Sequence, residues 1–195
     1  ATLQKTRQHL FKSEPYVAFE DNIRDPQNHP FPPPSGKIEI FSKRLYDMHH
    51  PEIPALSHYV PAHEGPEDEL VKTFQLQLIT WEGQNHANST QYANPWVIEA
   101  QQQKLWINPQ DAQKRGIAQG DTVRIHNARG ICEIPAEVTP RIIPGVVAMQ
   151  AGAWWQPDAQ GIDKGGCANV LSSARITALA KGNSHQTMLV EVAKA

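Results

Sequence analysis

From Thr73 to the carboxy terminus, apolar and polar side chains alternate in short runs separated by glycine, proline and polar turns. Phe74-Gln-Leu-Gln-Leu-Ile79 alternates cleanly, and further runs fall at 104–107, 122–126, 131–138, 146–150 and 188–192. A period of two places one set of side chains on a single face, so each run predicts a strand with a buried side. Six or so short strands favour a closed barrel over an open sheet, because closure removes the exposed edges. The expected fold class is therefore mainly β with short helices.

The clearest local signal is the stretch from Asn108 to Gly130. Asn108 can cap a helix, Pro109 suits its first position, Asp111 sits in the electropositive first turn and Gly116 ends it. Gly120-Asp121 then turns the chain into a strand at 122–126, and Ala128-Arg129-Gly130 turns it back into a strand from Ile131.

Upstream of about Val71 the pattern dissolves. Prolines crowd His29-Pro-Phe-Pro-Pro-Pro34 and Pro61-Ala-His-Glu-Gly-Pro66, leaving one expected strand at Lys37-Ile-Glu-Ile-Phe41 and a helical or turn segment from Ser42 to Met48. Proline removes backbone donors and favours extended chain, so residues 1–70 are expected to lie along another surface, either the barrel at 71–195 or an upstream domain. A flexible leader is the competing expectation for residues 1–30. The acidic run Glu64-Gly-Pro-Glu-Asp-Glu69 reads as a solvated face near a boundary.

Composition narrows the classes of function. A net charge of −2 with interspersed signs argues against a nucleic-acid face or a polybasic membrane patch. The two cysteines, Cys132 and Cys167, lack the spacing of a zinc or iron–sulfur site, and Cys132 alternates with apolar residues as a core residue would. The nine histidines form no helical pair with a carboxylate neighbour, so no metal site is expected. No apolar run approaches the ~18 residues that span a bilayer, and the first residues lack the apolar centre of a signal peptide, which together predict a soluble chain.

Candidate chemistry lies in polar loops. Thr80 to Pro95 is dense in neutral donors and acceptors, as a large polar ligand with an amide-like edge and a pyrophosphate would require; a solvated loop is the plainer alternative. The pair Trp154-Trp155 after Gly152 suits either a plug in the barrel or a channel wall. Gly165-Gly166 before Asn169 permits close approach of backbone to a flat ligand. Gly120-Asp121-Thr122 is a turn, without the second copy an aspartic protease needs.

These segments, in this order, resemble the carboxy-terminal domain of the molybdopterin oxidoreductases, the dimethyl sulfoxide reductase family. The Asn108–Gly130 run is a landmark of that domain. Pro34–Ser42, Leu78–Thr80, His86–Ser89, Pro95-Trp96, Gly152–Trp155, Asn169–Ser172 and Gly182-Asn183 agree as well, and the wording of 85–96 is most similar to catalytic subunits of membrane-associated bacterial dimethyl sulfoxide reductases. The resemblance implies a double-psi barrel holding part of a bis(molybdopterin guanine dinucleotide) molybdenum cofactor. It also implies contacts from Thr80, Trp81, His86, Asn88, Ser89, Trp154, Trp155, Asn169 and, more weakly, Gln186. Ser172 departs from the family's threonine but keeps the hydroxyl. The molybdenum ligand and any iron–sulfur cysteines would lie upstream, so the chain would orient the cofactor without being catalytic alone. The same resemblance implies a periplasmic enzyme with an iron–sulfur electron-transfer subunit and a membrane anchor subunit. Two rivals stand beside it: a stand-alone barrel that binds a peptide or protein in an apolar or charged groove, and a hydrolase using His86 with Ser89 or Asp121.

Overall fold

A computed structural model describes residues 16–184 and 186–195. The chain divides into two units, one ending at His58 and the other spanning Tyr59–Ala195. The first holds two short helices, α1 (Glu20–Arg24) and α2 (Lys43–Tyr46), the latter capped by the Ser42 hydroxyl, which accepts from the Leu45 amide. The strand expected at Lys37–Phe41 does not form: only Phe41 is bridged, to Leu56. Ile38 and Ile40 are both largely exposed, so this alternation has no sheet to bury its apolar side against. Among the described residues of this unit only Ile53 is a buried hydrophobic, and small aromatic contacts such as Phe19–Phe31, with ring centres 5.7 Å apart, supply the rest of its packing.

The second unit is a closed six-stranded barrel. Its strands are β1 (Leu76–Trp81), β2 (Leu105–Ile107), β3 (Thr122–His126), β4 (Ile131–Val138), β5 (Val146–Gln150) and β6 (Met188–Lys194). They run around the barrel in the order β1-β5-β2-β4-β3-β6, and β6 closes on β1. β1 and β5 are parallel, as are β2 and β4; the other four pairs are antiparallel. This is the double-psi form of barrel. Leu76, Leu78, Leu105, Ile107, Ile125, Val147, Met149, Met188 and Val190 fill its interior and are essentially inaccessible to water. Three of the expected strands carry the expected bounds, at 122–126, 131–138 and 146–150; β1 starts two residues late, at Leu76, because Phe74 and Gln75 precede the ladder.

Two further helices connect strands. α3 (Pro95–Ala100) follows the polar loop and α4 (Pro109–Lys114) follows β2. Both begin with asparagine then proline: Asn94 accepts from the Trp96 amide and Asn108 from the Gln110 amide, each at the position where an N-cap side chain is needed. α4 ends in a Schellman turn, with the Ile117 amide bonded to the Ala112 carbonyl at 2.9 Å and Gly116 in the left-handed region at φ 64°. Asn108 also donates to the Ile142 carbonyl at 2.6 Å, and Asp111 accepts from the Gly145 amide at 2.6 Å, so α4 staples the β4–β5 connection to the base of the barrel. Among the described residues no helix is long and apolar enough to cross a membrane.

The double use of Asn108 makes a prediction. Asn108→Ala removes the helix cap and leaves the buried Ile142 carbonyl without its donor, which together should cost about 2 kcal/mol of unfolding free energy. Urea denaturation of the wild type and variant checks it.

Candidate functional site

The barrel topology brings loops from distant parts of the sequence to one end. Because β5 is parallel to β1 and β6 is antiparallel to both, the exits of β1 and β5 and the entrance of β6 share one mouth. There the 82–94 loop, the long 151–187 connection and the Asn127–Gly130 turn of the β3–β4 hairpin lie together. The Asn127 amide bonds to the Gly130 carbonyl at 3.2 Å and closes that turn.

A cavity of about 100 Å³ opens at the mouth, lined by Thr80, Ser89, Gly152, Ala168, Asn169 and Met188 among others. A wider cleft of about 520 Å³ adjoins it through Asn169 and is lined by Ser172, Ser173, Arg175, Lys181 and Asn183. Thr80, Ser89 and Asn169, expected from three separate segments, thus share one cavity. Asn169 sits in a 3₁₀ turn, Ala168–Leu171, and is exposed, while Leu171 beneath it is fully buried. The Ser172 hydroxyl donates to the Asn169 carbonyl at 3.0 Å, so the serine in place of threonine keeps a hydroxyl at work inside the turn.

The 82–94 loop is shaped from within. His86 is buried, its Nδ1 lies 2.8 Å from the Asn88 carbonyl, its Nε2 3.4 Å from the Gln150 side chain, and its ring meets Tyr92 edge-on. A side chain at Gly83 would collide with that imidazole. His86 therefore organises the loop rather than facing the cavity. Asn88, at φ 49°, adopts the left-handed conformation that asparagine tolerates, and its own side chain is exposed. Gly152 comes so close that a Cβ there would lie 2.0 Å from the Asn88 carbonyl oxygen; its φ of 92° also requires glycine.

Gln186 spans the β1–β6 junction. Its Oε1 accepts from the Thr80 amide at 2.9 Å and its Nε2 donates to the Thr80 carbonyl and hydroxyl at 3.0 and 2.9 Å. The glutamine thus orients Thr80 at the cavity wall. Trp81, the next residue, points to the other side of the strand, as the period of two demands. It packs against Trp106 with ring centres 4.6 Å apart and planes tilted by 41°, and the Arg141 guanidinium lies 5.8 Å from the Trp106 ring centre, beside a separate cleft of about 230 Å³. Trp154 and Trp155 do not plug the barrel; they are 52% and 61% exposed, and the Trp154 indole donates to the Ser89 carbonyl at 3.0 Å.

Two residues that shape the mouth had no sequence signal strong enough to single them out. Asp163 is completely buried, and its carboxylate accepts from the amides of Gln156, Gly165 and Cys167 at 2.7, 3.2 and 2.7 Å. Glu64 is 2% exposed and paired with Arg129, which corrects the expectation that the whole 64–69 run is solvated. A carboxylate can be buried when its partner and amide donors come with it. The spacing of 65 residues between Glu64 and Arg129 hides the pair from any local pattern. Cys132 and Cys167 are both buried thiols, as expected for Cys132, and burial raises the pKa of each, so neither is a ready thiolate. Burial, with the nearby Asp163 charge, also pushes the Tyr92 hydroxyl up to about 12.

The hydrolase rival fails on this geometry. Both His86 nitrogens are engaged, one by the loop and one by Gln150 at the end of β5, and Asp121 lies at the opposite end of the barrel, where it accepts from the Ala118 amide and pairs with Lys194. The cavity wall mixes small apolar residues, Ala151, Gly152, Ala153 and Ala168, with the Thr80 and Ser89 hydroxyls and the Asn169 amide, and no charged side chain lines it. Such a wall fits the polar edge of a pterin, and the adjoining cleft has the size of a nucleotide pocket with Arg175 and Lys181 at its rim. The fold and the mouth together define a six-stranded barrel with a ligand site at one end.

Comparison with known proteins identifies the family. The sequence profile of the Molydopterin dinucleotide binding domain matches residues 76–189, the barrel from β1 to β6, and the chain belongs to that family. It is 49% identical over 187 residues to the dimethyl sulfoxide reductase DmsA of Escherichia coli K12, an alignment that spans 92% of this chain and 23% of that protein. It is 34% identical to a trimethylamine-N-oxide reductase of Haemophilus influenzae, over 92% of this chain and 23% of that one. The chain thus spans about a quarter of the length of the curated relatives it matches. The acetylene hydratase of Pelobacter acetylenicus shares the fold, with a TM-score of 0.66 at 17% identity over 83% of this chain and 24% of that one.

Two outcomes follow. Gly152→Ala should force Asn88 and Ser89 away from β5 and cost at least about 2 kcal/mol, since an imposed Cβ meets backbone that cannot rotate aside; thermal unfolding measures it. The second concerns acid. Lys164, then Arg124, bonds the Glu133 carboxylate and holds its pKa below the usual carboxylate value, so its stabilising contribution is complete above the ordinary range and fades as pH falls through the lowered value. Glu133→Gln should therefore flatten the acid limb of a stability–pH profile, and, because the same carboxylate raises the Lys164 pKa, it should also lessen the loss of stability as pH rises through that raised value.

Proposed function

We propose that the chain is the cofactor-holding portion of a molybdenum-dependent oxidoreductase that reduces S-oxides by oxygen-atom transfer. The observation that carries this reading is the convergence of Thr80, Ser89 and Asn169, from three sequence-distant loops, on one cavity at the barrel mouth. The name of the relative at 49% identity supports S-oxides over N-oxides, whose reductases stand near 34%. The cofactor is bis(molybdopterin guanine dinucleotide), and it supplies oxygen-atom transfer with two-electron chemistry when bound. This chain contributes binding and orientation. Ser89, Asn88 and Asn169 meet the polar edges, Thr80 is aimed by Gln186, and Trp154 and Trp155 border the approach.

In this reading the metal ligand belongs to other parts of a longer polypeptide, and the chain alone turns over no substrate. Its partners are those upstream domains, an iron–sulfur electron-transfer subunit and a membrane anchor subunit. The enzyme works in the periplasm, in anaerobic respiration. The net charge of −2 is in keeping with the absence of nucleic acid from that set.

The test is the pterin and guanine nucleotide released by acid from the intact enzyme, read by mass spectrometry. Replacing Asn88, Ser89 or Asn169 by alanine should lower retained cofactor, each by up to roughly tenfold, the worth of one hydrogen bond to a charged or strongly polar group. Unchanged occupancy in all three would make the loops scaffold and favour a peptide-binding barrel. S-oxide turnover by the isolated chain would overturn the division of labour.

A further inference from the structure

Glu64 lies outside the matched domain, twelve residues before β1 begins, yet its carboxylate sits against the wall of the mouth. Oε1 and Oε2 accept from Arg129 Nη1 and Nη2 at 2.6 and 2.8 Å, a two-pronged pairing, and Oε2 also accepts from the Leu189 amide at 3.0 Å. His63 Nε2 stands 3.5 Å from Oε1. The backbone at Glu64 is left-handed, φ 53°, with its amide on the Asp68 carboxylate at 3.3 Å. Strain of that kind persists only where surrounding contacts fix it.

Arg129 uses its Nε on the turn that carries Asn169. Its Nε donates to the Leu171 carbonyl at 2.8 Å, and Asn127 Nδ2 donates to the same carbonyl at 2.8 Å and to the Leu189 carbonyl at 3.2 Å. The Asn127 side chain in turn accepts from the Arg129 amide at 3.0 Å. Leu171 ends the turn that carries Asn169, and the hairpin presses on that turn closely enough that a Cβ on Gly130 would lie 2.6 Å from the Val170 carbonyl oxygen. One ion pair, between a buried carboxylate and a partly exposed guanidinium, therefore ties the Asn169 turn to the start of β6, the two walls on either side of the cavity.

We propose that Glu64 and Arg129 are positioning residues of the cofactor site: their ion pair clamps the Leu171 carbonyl and the Leu189 amide and so sets where Asn169 meets the cofactor. This rests on the cofactor-binding reading above. Neither residue touches the cavity, and the planar guanidinium, with three donors aimed at three acceptors, does what a lysine ammonium cannot. Deleting Arg129 outright would strand the buried Glu64 carboxylate and endanger folding, so milder variants carry the test.

The experiment is a double-mutant cycle in the intact enzyme, on the rate at which guanine nucleotide and pterin are lost after dilution, read by mass spectrometry. Arg129→Lys and Glu64→Gln should each speed that loss by roughly tenfold, within the coupling expected for residues in one network. In an Asn169→Ala background the same substitutions should add little, because the contact they position is already gone. Losses that multiply in full across the two backgrounds, or the absence of any loss in the single variants, would overturn the proposal. A wild-type enzyme that carries no pterin would instead remove the cofactor reading, and this proposal with it.

Discussion

The parallel pairing of β1 with β5 is the constraint on which the rest of the mouth depends. Antiparallel neighbours joined by a hairpin would send their exits to opposite ends. Parallel ones send both exits to the same end, and β6, running the other way, starts there. Every candidate contact descends from that geometry: the 82–94 loop leaves β1, Gly152 and the tryptophans leave β5, and Asn169 and Gln186 lie on the chain returning to β6. Barrel closure then fixes the distances between these loops, because the interior is packed solid with leucine, isoleucine, valine and methionine and has no slack to redistribute.

What the sequence disclosed was what local physics controls. Alternation placed β3, β4 and β5 to the residue, and Asn108, Pro109 and Gly116 announced the beginning and end of α4. The same asparagine–proline signal stands at Asn94-Pro95, where α3 begins inside a run otherwise read as polar loop. Alternation failed at Lys37–Phe41 because a strand needs a partner to pay for its ordering, and none is provided there. Thr80, Ser89 and Asn169 line one cavity, whereas Trp81 faces another cleft and His86 holds its own loop together.

The residues that no pattern announced are the buried carboxylates. Asp163 sits among glycines, and Glu64 sits in an acidic run that looks solvated throughout. Their burial depends on donors contributed by chain that folds back from far away or by amides within a turn, and neither is visible to a window of neighbours. Both act on backbone rather than on ligand. Water would otherwise compete for those amides, and an aliphatic side chain in either place would leave them without acceptors.

Asp163 has one more consequence, for how a long connection keeps its place. Residues 151–187 join β5 to β6 with little regular structure, but the carboxylate gathers the amides of Gln156, Gly165 and Cys167, and the Asp163 backbone itself extends the ladder of β4 through Ile131 and Glu133. The connection is thereby hung from one buried point, from which the Asn169 turn takes its position. The turn around Gln160 and the stretch from Ala174 to Thr177 are held separately, by the Asp158 carboxylate and by a bridge between Ile176 and Asn183. A single acid side chain thus gives an irregular connection the fixed reference that a helix would otherwise supply.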